Sequence, residues 1–228
     1  MLPLKAARLL GLVLIAFFWA SMLPAQEAAP TPEKALERLK DGNARFIADK
    51  PVAKEVGEHR RKELAKGQHP FAVILTCSDS RLAPEHIFDQ GLGDIFVIRV
   101  AGNVTDPAII GSIEYAVTEL KSPLVVVLGH EECGAVKAAL SGKKLPGDLG
   151  ELIKLVDVGK DLPKDKNEAL LTATKANIQH SATVLATKSD ILKDFVANKR
   201  ITIVTGIYSL ESGKVNWLNT PEKEGKCK

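Results

Sequence analysis

Two short segments, Cys77-Ser78-Asp79-Ser80-Arg81 and Gly129-His130-Glu131-Glu132-Cys133-Gly134, bring two thiols, an imidazole and a carboxylate with a nearby guanidinium into one chain. Each segment directly follows an apolar run. Zinc takes sulfur and nitrogen donors in a tetrahedral array, and a catalytic site usually keeps three protein ligands and leaves the fourth position to water or substrate. Cys77, His130 and Cys133 make three. A purely structural site would close with a fourth Cys or His, whereas the nearest further donor here is Asp79, which Arg81 can hold by a bidentate pair. Beside a cation, that pair decides whether the carboxylate binds metal or leaves room for water. The three-residue step from His130 to Cys133 predicts both donors on one side of a first helical turn. Gly129 would then turn the chain sharply out of the preceding strand, and the helix N-terminus would favour Cys133 as thiolate. Taken singly, Cys133 reads as a small buried helix residue, His130 as a loop histidine and Asp79 with Arg81 as a turn cap. Together they point to a metal.

The elements that must position these residues are short runs rich in β-branched residues at 71–76, 94–100, 124–128 and 200–205. Continuous apolar runs suit parallel strands covered on both faces. A helix is predicted from Thr31 as N-cap and Pro32 at its first position, with Leu36, Leu39, Phe46 and Ile47 on one side and Gly42-Asn43 interrupting. Further helical patterns cover 57–66, which is mostly charged, 107–120, 133–140, and 167–197 with a break near Ser189-Asp190. Residues 208–218 read as a terminal hairpin turning at 211–213. Strand–helix alternation implies an open, Rossmann-like α/β sheet whose ligands sit at the carboxyl ends of strands. If Cys77 and His130 share one ion, the first and third strands are neighbours. The parallel order is then 2-1-3-4, with an antiparallel strand at the edge.

The first residues stand apart in composition: Lys5 and Arg8 precede an uncharged apolar stretch at 9–20, and Pro24-Ala25 offers a cleavage point. Residues 1–25 read as an export signal, which implies a periplasmic protein and a single domain over 26–228. The apolar stretch is short of the roughly twenty residues a bilayer span needs, so no stable membrane insertion is expected. Without Lys5 and Arg8 the formal charge falls from +3 to +1, a poor match to nucleic acid or anionic membrane. Of the three cysteines, Cys77 and Cys133 are assigned to metal, and Cys227, in a charged tail, is expected to be a free thiol.

These residues resemble the β-class carbonic anhydrases over most of the mature chain. The resemblance runs through 35–46, 67–70, 77–103, 111–117 and 129–136, and is weakest over 140–199. It implies reversible hydration of carbon dioxide to bicarbonate and a proton, on one zinc held by Cys77, His130 and Cys133. It also implies that Asp79, held off the metal by Arg81, orients a zinc-bound hydroxide, and that Asp79 occupies the fourth position in a closed, inactive form. Gln68, Phe96 and Tyr115 match a substrate pocket, and a dimer or higher homo-oligomer whose cleft draws on both subunits follows from the same resemblance. Ile74 stands where a bicarbonate-regulated subgroup has tryptophan, although Arg99 matches another residue of that regulatory pocket. Glu131 and Glu132 depart from the plant-like pattern and would raise the pKa of metal-bound water. Lys137, His69 and His86 lie near the motifs and read as surface residues or proton relays. Competing readings are a carbon disulfide or carbonyl sulfide hydrolase, a non-catalytic zinc protein closed by Asp79, and a redox protein using Cys77 and Cys133.

Overall fold

The computed structural model describes residues 29–219; the leader reading of 1–25 and the tail with Cys227 lie outside the described residues. Helix α1 (Pro32–Ile47) begins as its sequence dictates, with Thr31 Oγ1 accepting from the Lys34 N–H and Pro32 in the first turn. It runs unbroken through Gly42-Asn43. A Cβ at Gly42 would lie 1.8 Å from the Phe88 carbonyl oxygen, so glycine is what lets α1 dock. Buried Asn43 donates to the Ile87 and Gly213 carbonyls and accepts from the Val215 N–H. Two poor helix formers are thus retained for tertiary contacts.

After the exposed helix α2 (Glu58–Leu64) come β1 (Ala72–Thr76), the single turn α3 (Pro84–Ile87), β2 (Ile95–Arg99) and a 3₁₀ turn at Ala101–Asn103. Then follow α4 (Pro107–Thr118), β3 (Leu124–His130), α5 (Gly134–Leu140), α6 (Gly147–Lys154), α7 (Lys166–Lys188), α8 (Asp190–Ala197), β4 (Thr202–Tyr208) and β5 (Val215–Asn219). Ser189 separates α7 from α8 and caps the latter, its Oγ accepting from the Leu192 N–H at 3.0 Å. The sheet order is β2-β1-β3-β4-β5, parallel except for the β4–β5 edge pair. That is the topology expected from placing Cys77 and His130 at one site.

Alternate residues of the central strands serve two cores. Ala72 and Ile74 with Leu124, Val126 and Leu128 pack beneath α1 and α5, while Val73 and Leu75 with Val125 and Val127 pack against α4, α7 and α8. Burial on both faces is why these strands read as continuous apolar runs. Strand β3 extends two residues beyond its apolar run, pairing Gly129 with Ile207 and His130 with Tyr208. This corrects the expectation of a sharp turn at Gly129. The glycine is there for space, since a Cβ would lie 2.5 Å from Ile178 Cδ1 of α7. Among the described residues, no helix is long and apolar enough to cross a membrane.

Candidate metal centre

The carboxyl ends of neighbouring β1 and β3 carry the chemistry. Cys77 follows β1 directly, His130 ends β3, and Cys133 is the N-cap of α5. Their donor atoms all lie within 4.8 Å of one another, and all three residues are buried. Tetrahedral zinc with these donors needs separations of roughly 3.5–3.8 Å, so the cluster would close by no more than about 1 Å. The expected common helical turn is not formed, because His130 stays in the strand and a two-residue turn carries the chain to Cys133. Glu132 makes that turn in the left-handed region, φ 57°, and its carboxylate meets Lys137 Nζ.

The imidazole is poised as a ligand. Its Nδ1 lies 2.8 Å from the Glu131 carbonyl oxygen, which can only accept, so Nδ1 carries the proton and Nε2 keeps its lone pair. Nε2 is buried and has no hydrogen-bond partner. A buried orphan acceptor is costly in a folded protein, and beside two thiols a soft cation resolves it. The thiols divide their proton unequally. Cys133 beside it is the largest influence on Cys77, and with the Gly102 and Asp79 N–H groups it lowers the Cys77 pKa against burial. Cys133 is instead pushed up, first by Cys77 and then by burial, even though the Val136 and Ala135 N–H groups favour its thiolate. The helix N-terminus thus acts as foreseen but is outweighed. A cation between the sulfurs would lower both, since a metal-bound thiol gives up its proton outright.

Asp79 stands at the open side of the cluster, with Oδ2 3.9 Å from His130 Nε2. Arg81 donates from Nε to Oδ1 at 2.8 Å, from Nη2 to Oδ2 at 2.7 Å and from its backbone N–H to Oδ1 at 3.0 Å. These bonds hold the Asp79 carboxyl well below the usual carboxylate range, and the same pairing raises Arg81. Arg99 braces the loop behind them, its Nη2 donating to the Asp79 carbonyl at 2.7 Å and its Nε to that of Cys77 at 3.3 Å. The sequence singles out Arg99 only through a regulatory pocket, and its bracing role needs the parallel pairing of β1 with β2 to be seen.

The structure brings some sequence-predicted residues together and leaves others apart. Phe96 of β2 and Tyr115 of α4 meet with ring centroids 6.4 Å apart, and Tyr115 is 49% exposed. Gln68 is exposed on the segment before β1 and makes no hydrogen bond to the cluster. His69, His86 and Lys137 are all exposed. Ile74 is fully buried in the first core. Two residues that the sequence does not flag, Asn177 and Ser181, reach from α7 to the 3₁₀ turn behind Cys77.

A protein-family model described as carbonic anhydrase matches residues 72–215. The carbonic anhydrase of Mycolicibacterium smegmatis is 42% identical over 189 residues, covering 81% of this chain and 92% of its own length. Carbonic anhydrase 2 of Mycobacterium tuberculosis is 42% identical over 190 residues, covering 80% and 91%. Among solved structures, the β-carbonic anhydrase CafA of Aspergillus fumigatus superposes with a TM-score of 0.63 at 27% identity, over 84% of this chain and 92% of that one. A tetrameric β-carbonic anhydrase of Sordaria macrospora shares the fold, with a TM-score of 0.63 at 24% identity over 82% and 96%.

Proposed function

The chain belongs to the carbonic anhydrase family, in its β class, whose reaction is the reversible hydration of carbon dioxide, and we propose that it carries out this reaction on one zinc ion held by Cys77, His130 and Cys133. One observation carries the assignment of roles. A buried three-donor cluster stands beside a carboxylate that is turned away onto a guanidinium. Zinc bound there supplies the Lewis acidity that brings the pKa of water from 15.7 toward about 7. Asp79, ionised throughout the working pH range, can only accept a hydrogen bond, so it fixes the direction of the nucleophile's lone pair toward carbon. With zinc bound, Arg81 would keep Asp79 off the metal by occupying both carboxylate oxygens, and Arg99 would keep the loop from carrying Asp79 inward.

Gln68, Phe96 and Tyr115 form the substrate pocket in this reading, with the cleft completed by a second copy of the chain. Exposed Tyr115 against half-buried Phe96, with half-buried Ile109 and Ile110 earlier on α4, supports an apolar face of that kind. The protein is then a homodimer or a higher homo-oligomer. Lys5, Arg8, the apolar stretch at 9–20 and Ala25 support export to the periplasm with removal of residues 1–25. The test is stopped-flow hydration of carbon dioxide by the mature chain, zinc-loaded and chelator-stripped. Zinc-dependent turnover near neutral pH is expected, and Asp79→Ala should keep its zinc and lose most of that turnover. Full activity in Asp79→Ala would remove the orienting role, and no activity in the zinc-loaded parent would remove the enzyme.

A further inference from the structure

We propose that Asn177 is a positioning residue for the metal centre, holding Gly102 so that its N–H stays on Cys77 Sγ and limits the charge this sulfur gives the metal. The proposal rests on the reading of Cys77 as a ligand. Gly102 donates to Cys77 Sγ at 3.3 Å, and on its other side its carbonyl accepts from Asn177 Nδ2 at 2.6 Å. Asn177 Oδ1 accepts in turn from the Asp157 N–H at 3.1 Å, which leaves the amide one orientation that satisfies both ends. One helical turn later, Ser181 Oγ donates to the Asn103 carbonyl at 2.9 Å. Asn177 and Ser181 are each 1% exposed, and a buried amide or hydroxyl is costly unless bonded. Both side chains spend their hydrogen bonds on this turn and its surroundings.

Gly102 needs such a hold. Its φ is +77°, a region in which glycine is favoured but not confined. A side chain there would be strained at that φ and tight, its Cβ 3.1 Å from Ala135 Cβ and 3.3 Å from Val156 Cγ2, so glycine is kept. The restraint therefore comes from outside, from α7. An N–H bonded to a thiolate stabilises the sulfur's filled orbitals and weakens it as a donor, which leaves the metal a stronger Lewis acid. Groups behind a first ligand commonly alter affinity or activity by about 10–100-fold when removed.

The experiment replaces zinc by cobalt(II) in the full-length protein and reads the thiolate-to-cobalt charge-transfer absorption. Asn177→Leu, close to asparagine in shape but without its polar atoms, should move the band to lower energy as the sulfur orbitals rise. It should also slow hydration by the zinc form about 10-fold. Ser181→Ala, which frees the Asn103 carbonyl and leaves Gly102 held, should lower the thermal midpoint and leave the band in place. If Asn177→Leu does not fold, Asn177→Ser, too short to reach Gly102, gives the same reading. An unshifted band in Asn177→Leu or Asn177→Ser, or an equal shift in Ser181→Ala, would overturn the positioning role while leaving the metal site intact. A parent protein with no thiolate band would overturn the ligand assignment and this proposal together.

Discussion

Gly129 is the point where the packing of the fold and the geometry of the metal site meet most tightly, and Gly129→Ala tests that coupling. The new methyl would sit 2.5 Å from both Cδ1 and Cγ1 of Ile178, where ordinary contact begins near 3.4 Å, so β3 and α7 must separate by roughly an ångström or Ile178 must change rotamer. Ile178 is fully buried, so a new rotamer would have to displace closely packed neighbours. Overpacking of this kind costs about 1–3 kcal/mol. Alanine recovers about 0.5–1 kcal/mol over glycine in a strand interior, which leaves a net loss of about 0–2.5 kcal/mol. Ile178→Ala alone should cost about 2–5 kcal/mol through its cavity. In the double variant the alanine methyl fills part of that cavity, so the two losses should fall short of their sum by about 1–2 kcal/mol. The assay is guanidinium unfolding of zinc-loaded protein at fixed chain concentration, followed by the fluorescence of Trp217, which stacks on Phe88 in the core. The displacement also moves His130, the next residue, so zinc should leave Gly129→Ala faster than the parent, and Ile178→Ala in the same chain should slow it again. Additive losses, or zinc release from Gly129→Ala no faster than from the parent, would refute the claim that this contact sets the geometry of the site.

Cys133→Ala should lower zinc content well below one ion per chain and abolish hydration; unchanged stoichiometry by metal analysis would remove Cys133 from the ligand set. Asp89, 5% exposed, accepts from Arg45, Lys54 and the Val52 N–H, and these bonds hold its pKa below the ordinary value although burial, the largest single influence, raises it. Because the folded pKa is the lower one, its stabilisation is present above the ordinary carboxylate range and is lost as pH falls through the folded value. Asp89→Asn should therefore cost about 2–4 kcal/mol at neutral pH and show a shallower fall of stability in acid, and parallel stability–pH curves would refute the clip. Bicarbonate should inhibit without cooperativity, since Ile74 fills the first core where a regulatory pocket would need a tryptophan; a sigmoidal inhibition curve would count against this. Expression in a Gram-negative host should yield a soluble periplasmic chain lacking residues 1–25, whereas recovery of the full-length chain in the membrane fraction would overturn the cleaved signal.

Much of this architecture is legible because local chemistry and long-range packing agree. Thr31-Pro32 starts α1 as the sequence announces, and the break read near Ser189-Asp190 is where Ser189 divides α7 from α8. The strand order follows from one chemical premise, that Cys77 and His130 bind the same ion. The turns α3 and Ala101–Asn103 are too short to show a periodicity, and they go unseen, as does α6, where Gly147 and Gly150 dilute the helical pattern.

What escapes the sequence is mostly made by residues far away along the chain. Gly129 signals a turn when read locally, but it stays in β3 because Ile178 needs its space. Gly42-Asn43 weakens the helical pattern when read locally, but α1 runs through them because Phe88 and Val215 use those two residues. Helix α7 shows the same logic at larger scale, since its buried side carries Thr174, Asn177 and Ser181 among Ala173, Ile178 and Leu185 and so lacks a clean apolar stripe. A stripe of pure hydrocarbon there would pack the sheet equally well and leave the carbonyls behind Cys77 without donors. The polar interruption that blurs the helix in the sequence is therefore the feature that ties the helix to the site.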